Sequence, residues 1–150
     1  GKALLGGIEI PTYADELSSE SLNPYIGIAY TLIRGRHGLG QSASYTLMTG
    51  SDDGFDRDYT ADVFRFDTAY LFRLYPAAWE PDSPGGHYFT AELTSEFSVT
   101  GDQEALFTPG YLYEGREIAV ELGVSIPVWS DVEGRRETDL GLVAGVRFLF

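Results

Sequence analysis

The amino-acid sequence predicts an all-β protein, an antiparallel up-and-down transmembrane β-barrel of about eight strands that occupies residues 1–150 as one domain. Three observations support this prediction. Apolar residues alternate with small or polar residues along most of the chain, as in strands that present one apolar face. No amphipathic helical pattern extends beyond about two turns. Many alternating segments have 10 or more residues, close to the ~9–11 that a tilted membrane-spanning strand needs.

The first five predicted strands are Lys2–Thr12, Pro24–Gly35, Gln41–Gly50, Thr60–Pro76 and His87–Val99. In the fourth, apolar residues at even positions share one face, and Arg65 and Asp67 lie on the other. In the fifth, the apolar face runs at odd positions from Phe89, opposite Glu92 and Glu96. Each therefore has the two-residue period of a strand.

The last three predicted strands are Glu104–Tyr113, Glu117–Trp129 and Leu140–Phe150. Because the sixth contains Pro109 and Gly110, we expect it to be irregular or bulged. The seventh is the clearest, with an apolar residue at every even position from Ile118 to Val128. The eighth repeats this pattern up to Phe150.

Alternation alone fits two architectures. A soluble barrel points its apolar face inward, whereas a transmembrane barrel points that face at lipid and its polar face at the lumen. Lys2 is the only lysine, although soluble β-proteins usually carry Lys and Glu on their solvent face and edge strands. Aromatic residues near many segment ends are typical of membrane interfaces. These features favour the transmembrane barrel, and a soluble ligand-binding barrel stays as an alternative.

Charged residues on the polar face of the predicted strands would line the lumen. They are Glu9, Arg65, Asp67, Arg73, Glu92, Glu96, Glu117, Glu121 and Arg147. One interpretation is a cation-selective or substrate-contacting lining. The other is a set of structural ion pairs, which we favour because side chains fill the interior of an eight-stranded barrel.

Composition argues against several function classes. A net charge of −13 disfavours binding to nucleic acid, and the absence of cysteine excludes disulfides and thiolate chemistry. His37 and His87 are the only histidines, and no clustering with an acid or a nucleophile is apparent in the sequence. No dinucleotide, phosphate-binding-loop or zinc-protease motif occurs. We therefore predict neither enzymatic activity nor a cofactor.

A dense acidic segment supplies the one weak set of metal candidates, which are Asp52, Asp53, Asp56 and Asp58. Carboxylate oxygens suit Ca²⁺. The order of residues does not match the EF-hand loop, because the glycine is misplaced and the final glutamate is missing. We favour a solvated loop that divalent cations bridge loosely to lipopolysaccharide.

The C-terminal segment resembles the terminal signal of bacterial outer-membrane proteins. It places Val146, Phe148 and Phe150 at alternate positions and ends on the last of them. The resemblance implies recognition by the barrel-assembly machinery, with the C-terminus on the periplasmic side and the long acidic loops outside.

A second resemblance covers most of the chain. Its motifs are Gly6-Gly7-Ile8-Glu9-Ile10-Pro11-Thr12, Phe107-Thr108-Pro109-Gly110-Tyr111, Glu121-Leu122-Gly123-Val124-Ser125-Ile126-Pro127-Val128 and Gly145-Val146-Arg147-Phe148. They resemble outer-membrane barrels of the meta-pathway phenol-degradation type. That implies an outer-membrane channel or transporter for small aromatic or hydrophobic molecules, with the lipid bilayer and lipopolysaccharide as partners.

Members of that family usually have more strands before the first motif. The chain is therefore expected to be the C-terminal part of a longer barrel or a shorter relative. The alternative function is a closed eight-stranded outer-membrane barrel with a structural role or a binding role carried by its loops.

Overall fold

The computed structural model describes residues 1–10, 22–49, 61–133 and 138–148. Its strands are β1 (Lys2–Glu9), β2 (Asn23–Arg34), β3 (His37–Thr46), β4 (Val63–Tyr75), β5 (Gly85–Ser98), β6 (Gln103–Gly115), β7 (Ile118–Asp131) and β8 (Gly141–Phe148). They form one sheet in which each strand pairs antiparallel with the next. The predicted all-β, up-and-down arrangement of eight strands is confirmed. Within the described ranges, no helix has the length and apolar character to cross a membrane.

The β2–β3 hairpin is tighter than predicted. We expected a connection from Arg36 to Gly40, but Arg34 pairs with His37 and only Gly35 and Arg36 form the turn. Gly35 has a φ of +61°, the left-handed region that glycine adopts most readily. Gly38 and Gly40 do not break the strand, because they continue the polar-face positions of β3.

β6 is irregular, as predicted. It runs over 13 residues, and its register against β7 shifts between Ala105 and Leu106. The ladder with β7 carries no pair at Thr108 or Pro109 and resumes at Gly110. The proline therefore interrupts pairing on one side without ending the strand.

The register keeps the two faces in phase across the sheet. On one side, which we call the apolar face, Leu4 lies opposite Ile28, Ile28 opposite Ala43, and Ala43 opposite Phe66. On the other side, which we call the polar face, Arg65 lies opposite Glu96. A shift of one residue would exchange the faces, so the consistent pattern fixes the pairing of all eight strands.

The sheet does not enclose a hydrophobic core. Of the hydrophobic side chains in the described ranges, only Ala61 and Ala119 are buried. Large side chains on the apolar face stay open, with exposed fractions of 62% at Ile28, 57% at Leu122 and 85% at Leu142. Water-soluble domains bury such residues. The apolar face is therefore uncovered in this structure.

β1 and β8 are the two edges of the sheet. No pairing joins them within the described residues, so the closure of the predicted barrel is not present in this structure. Nearly every residue of both strands is exposed, the exceptions being Gly7, Gly141 and Gly145.

The tight turn yields a prediction about stability. Gly35→Ala should lower the free energy of unfolding by about 1 kcal/mol, because a side chain is strained at positive φ. Gly40→Ala is the matched control, since its added Cβ would meet its nearest atom at 3.8 Å, an ordinary contact. Urea unfolding in detergent micelles measures both variants. Equal unfolding midpoints would contradict the strain argument.

Candidate functional site

The polar face curls around a cleft of about 460 Å³, which we call the main cleft. Five successive strands, β1 to β5, contribute to its lining. The lining residues are Leu5, Glu9, Tyr25, Ser42, Ser44, Thr46, Met48, Val63, Arg65, Asp67 and Glu96. One cleft can touch five neighbouring strands only if the sheet is concave on that side.

Small residues keep the main cleft open. Ser42, Ser44 and Thr46 supply the β3 part of the wall. Gly27 lies beside them on β2, and a Cβ there would come within 2.8 Å of the Ala43 carbonyl oxygen. The backbones of β2 and β3 therefore approach too closely for a side chain at this position.

Arg65 is the cation of the main cleft. Its Nε lies 3.0 Å from Asp67 Oδ1, and its Nη1 lies 3.6 Å from Glu96 Oε1. The Ser42 hydroxyl donates to Asp67 Oδ2 at 3.2 Å. The three charged side chains are 30–48% exposed, so each ion pair contributes about 1 kcal/mol or less. The pairs position the groups more than they stabilise the fold.

A second cleft of about 190 Å³ lies on the same face between β4 and β8. Arg147 Nη2 lies 3.5 Å from Glu121 Oε2. The Glu121 side chain covers Gly145, where a Cβ would come within 2.5 Å of Oε1. Glu92 also lines this cleft and makes no hydrogen bond or ion pair with another residue in the described part of the chain.

The structure thus divides the predicted lumen charges into groups. Glu9, Arg65, Asp67 and Glu96 share the main cleft, and Glu92, Glu121 and Arg147 share the second. The remaining two predicted residues line neither cleft.

Arg73 and Glu117 lie near the short turns. The Arg73 guanidinium is 5.4 Å from the centre of the Trp79 ring, and its Nε is buried with no partner among the described residues. Glu117 is exposed in the turn between β6 and β7, one residue before β7 begins.

Both histidines lie on the apolar face among aromatic rings. His37 Nδ1 is 2.7 Å from the Tyr70 hydroxyl oxygen, and its ring centre is 5.0 Å from that of Phe72. His87 lies 5.0 Å from the ring of Tyr113. The two clefts are on the opposite side of the sheet, so neither histidine joins their carboxylates in a catalytic arrangement.

A set of hydrogen-bond acceptors that the sequence did not predict lies at the end of the sheet where β2, β4, β6 and β8 begin. Asp102 Oδ1 accepts from the Glu133 backbone N–H at 2.9 Å, and Glu104 Oε1 accepts from Thr138 N–H at 3.1 Å. Both acids are buried. Their position where a strand meets a loop was the available signal, but their partners are about 30 residues away.

Asp62 belongs to the same set. It precedes β4 and accepts hydrogen bonds from the Tyr45 hydroxyl and, at 2.9 Å, from the Met48 backbone N–H. The hydrogen bond from Tyr45, and to a smaller extent the one from Met48, lowers the pKa of the Asp62 carboxyl below its ordinary value. Both bonds favour the ionised form of the carboxyl.

Two other predicted sites are the acidic metal candidates and the C-terminal assembly signal. No group of three or more acidic, histidine or cysteine side chains in the described ranges could hold a metal ion. Asp52, Asp53, Asp56 and Asp58 lie outside the described residues, as does Phe150. Val146 and Phe148 are on the apolar face of β8, and 56% and 67% of their surface is exposed.

No family model, curated protein or solved structure matches the chain. The fold and the two clefts are therefore the basis for a functional interpretation.

The hydrogen bonds of Asp62 predict that the stability of the fold depends on pH. A carboxyl with a lowered pKa contributes stability that is present above its unfolded pKa of ~3.9 and is lost as pH falls through its folded pKa. Asp62→Asn should therefore reduce the loss of stability on acidification. Tyr45→Phe should have a similar but smaller effect, since it removes only one donor. Urea midpoints in micelles between pH 2 and 6 measure this, and unchanged acid profiles for both variants would refute it.

Proposed function

We propose that the protein is an outer-membrane β-barrel of a Gram-negative bacterium that passes small molecules along its polar face. The main support for this proposal is the contrast between the two faces of the sheet. The apolar face stays uncovered across eight strands, while the polar face curls around two clefts. In water the hydrophobic effect would drive the opposite curvature, with the apolar face inside.

The strand lengths support a membrane location. β2 and β4 to β7 have 12–14 residues each, enough for a tilted strand to cross the hydrocarbon region. Large apolar side chains such as Ile28 and Leu142 would then face lipid instead of water. The proposed environment thus accounts for the missing core.

Closure of the sheet is part of the proposal. In a bilayer, each unpaired backbone N–H or C=O costs several kcal/mol, so the edges of β1 and β8 require partners. With an even number of strands the two edges run antiparallel and can pair with each other. The barrel then has no exposed edge, and the assembly machinery and lipopolysaccharide are its proposed partners.

The two clefts are the proposed path. The main cleft falls within the ~300–1,000 Å³ of ordinary small-molecule sites. It combines the ion-paired Arg65 with apolar residues such as Leu5 and Met48. Small molecules of partly aromatic or hydrophobic character fit this lining, in agreement with the family that the sequence resembles.

One observation favours a second candidate, a closed barrel whose role is structural or depends on its loops. The Arg65 and Arg147 ion pairs occupy part of both clefts. Side chains alone fill the interior of a closed eight-stranded barrel. The two candidates differ in whether solute passes.

The membrane location predicts opposite outcomes at neighbouring residues. Val124→Arg places a charge on the apolar face of β7 and should weaken insertion by about 2–4 kcal/mol near the bilayer centre. Ser125→Arg places the same side chain on the polar face and should have a smaller effect. Folding into lipid vesicles, followed by urea titration, measures both. Equal tolerance of the two variants would count against lipid contact by the apolar face.

The path itself predicts conductance. The refolded protein should give reproducible ohmic steps in planar bilayers, and Ser44→Trp should reduce the step size because Ser44 lines the main cleft. Tyr45→Trp is the control on the opposite face. A folded, inserted protein that stays silent would overturn the passage of solutes and support the closed barrel.

A further inference from the structure

A third cleft lies on the apolar face, on the opposite side of the sheet from the proposed path. We call it the outer groove. It has a volume of about 390 Å³ and spans β1 to β4. The lining residues that occupy apolar-face positions are Lys2, Ile28, Tyr30, Gln41, Ala43 and Phe66.

The outer groove exists because a small residue stands between two large ones. Ile28, Ala43 and Phe66 are directly opposite one another on three neighbouring strands. The small methyl group of Ala43 leaves a trough, and the side chains of Ile28 and Phe66 form its two walls. The three residues that form the floor and the walls are all apolar.

One end of the outer groove is polar, which is unusual for this face. Lys2 is opposite Tyr30 on β2, and Tyr30 is opposite Gln41 on β3. All three are exposed, and their polar ends make no hydrogen bond with the part of the chain that the structure describes. A primary amide or an ammonium beside hydrocarbon is costly unless it finds a partner.

Charge indicates the partner. The described lining holds one cation and no carboxylate. Lys2 is the only lysine of a chain with a net charge of −13. An ammonium, a phenol and an amide together supply hydrogen-bond donors for an anion.

We infer that the outer groove binds an anionic phospholipid, with an acyl chain against Ile28, Ala43 and Phe66 and the headgroup at Lys2, Tyr30 and Gln41. This inference rests on the membrane location in the proposed function and is independent of solute passage. Apolar walls with a few convergent polar groups are the usual composition of a ligand site.

A second copy of the chain fits the outer groove less well. A copy that docked through the same face would cover Lys2 and Gln41 without supplying an anion, because the apolar-face positions of β1 to β4 carry no carboxylate. A lipid supplies both the hydrocarbon and the negative charge.

Native mass spectrometry tests the site. The detergent-refolded full chain is titrated with phosphatidylglycerol or with phosphatidylcholine of the same acyl chains. We expect preferential binding of phosphatidylglycerol, and Lys2→Gln should lower that binding about fivefold without changing phosphatidylcholine binding. Arg116→Gln is the matched control at an exposed cation outside the outer groove.

A second pair of variants tests the acyl-chain part. Ala43→Phe should fill the trough and reduce the binding of both lipids, whereas Ala91→Phe makes the same change elsewhere on the apolar face. If Ala43→Phe fails to fold by circular dichroism, Gln41→Leu serves in its place and should lower phosphatidylglycerol binding only.

Three results would overturn the inference. They are equal binding of the two lipids, unchanged binding in Lys2→Gln and Gln41→Leu, and a dimer that Ala43→Phe abolishes. A protein that inserts into vesicles without lipid preference refutes the outer groove alone. A protein that does not insert refutes the membrane location as well.

Discussion

The fold depends on the antiparallel backbone ladder combined with a strict two-residue side-chain period. The described residues bury almost no apolar side chain, so hydrogen bonds between neighbouring strands hold the sheet together. Each strand must then keep its register, because one slip would move its charges to the apolar face. The register shift between Ala105 and Leu106 is followed by correct pairing of Phe107 with Ile126. The sheet accepts an irregularity but preserves the separation of its faces.

The two faces differ in what they can tolerate. The polar face carries charges in partly exposed groups around Arg65 and Arg147, where ion pairs add little stability. Their main effect is to position the charged groups on the concave side. The apolar face of the described strands carries two cations, Lys2 on β1 and Arg34 at the last position of β2, and the surface beside Lys2 is also hollow. The charged groups at Arg65, Arg147 and Lys2 each lie at a cleft.

Local pattern was enough to predict the strands, and long-range pairing was needed for the site. Alternation identified all eight strands and the partition of Arg65, Glu96 and Glu121 to one face, because these follow from neighbours in sequence. The predicted start of β3 was too late because Gly38 and Gly40 were assigned to a turn. Glycine often indicates a turn, but here the backbone of both residues is paired in the sheet. Three features depend on the curvature of the sheet and on its register. They are the division of the charges into two clefts, the position of Arg73 outside both clefts and the hydrogen-bond partners of Asp62. None of these is encoded in a short segment.

The nearest-neighbour order of the strands has a consequence for how such a protein assembles and changes. Every strand pairs only with those adjacent in sequence, so each hairpin closes over a short stretch of chain and does not wait for distant segments. The same order makes the architecture modular. Inserting or deleting one hairpin would change the number of strands by two while leaving the pairing within every other hairpin intact, so the width of the sheet can evolve in steps of two strands.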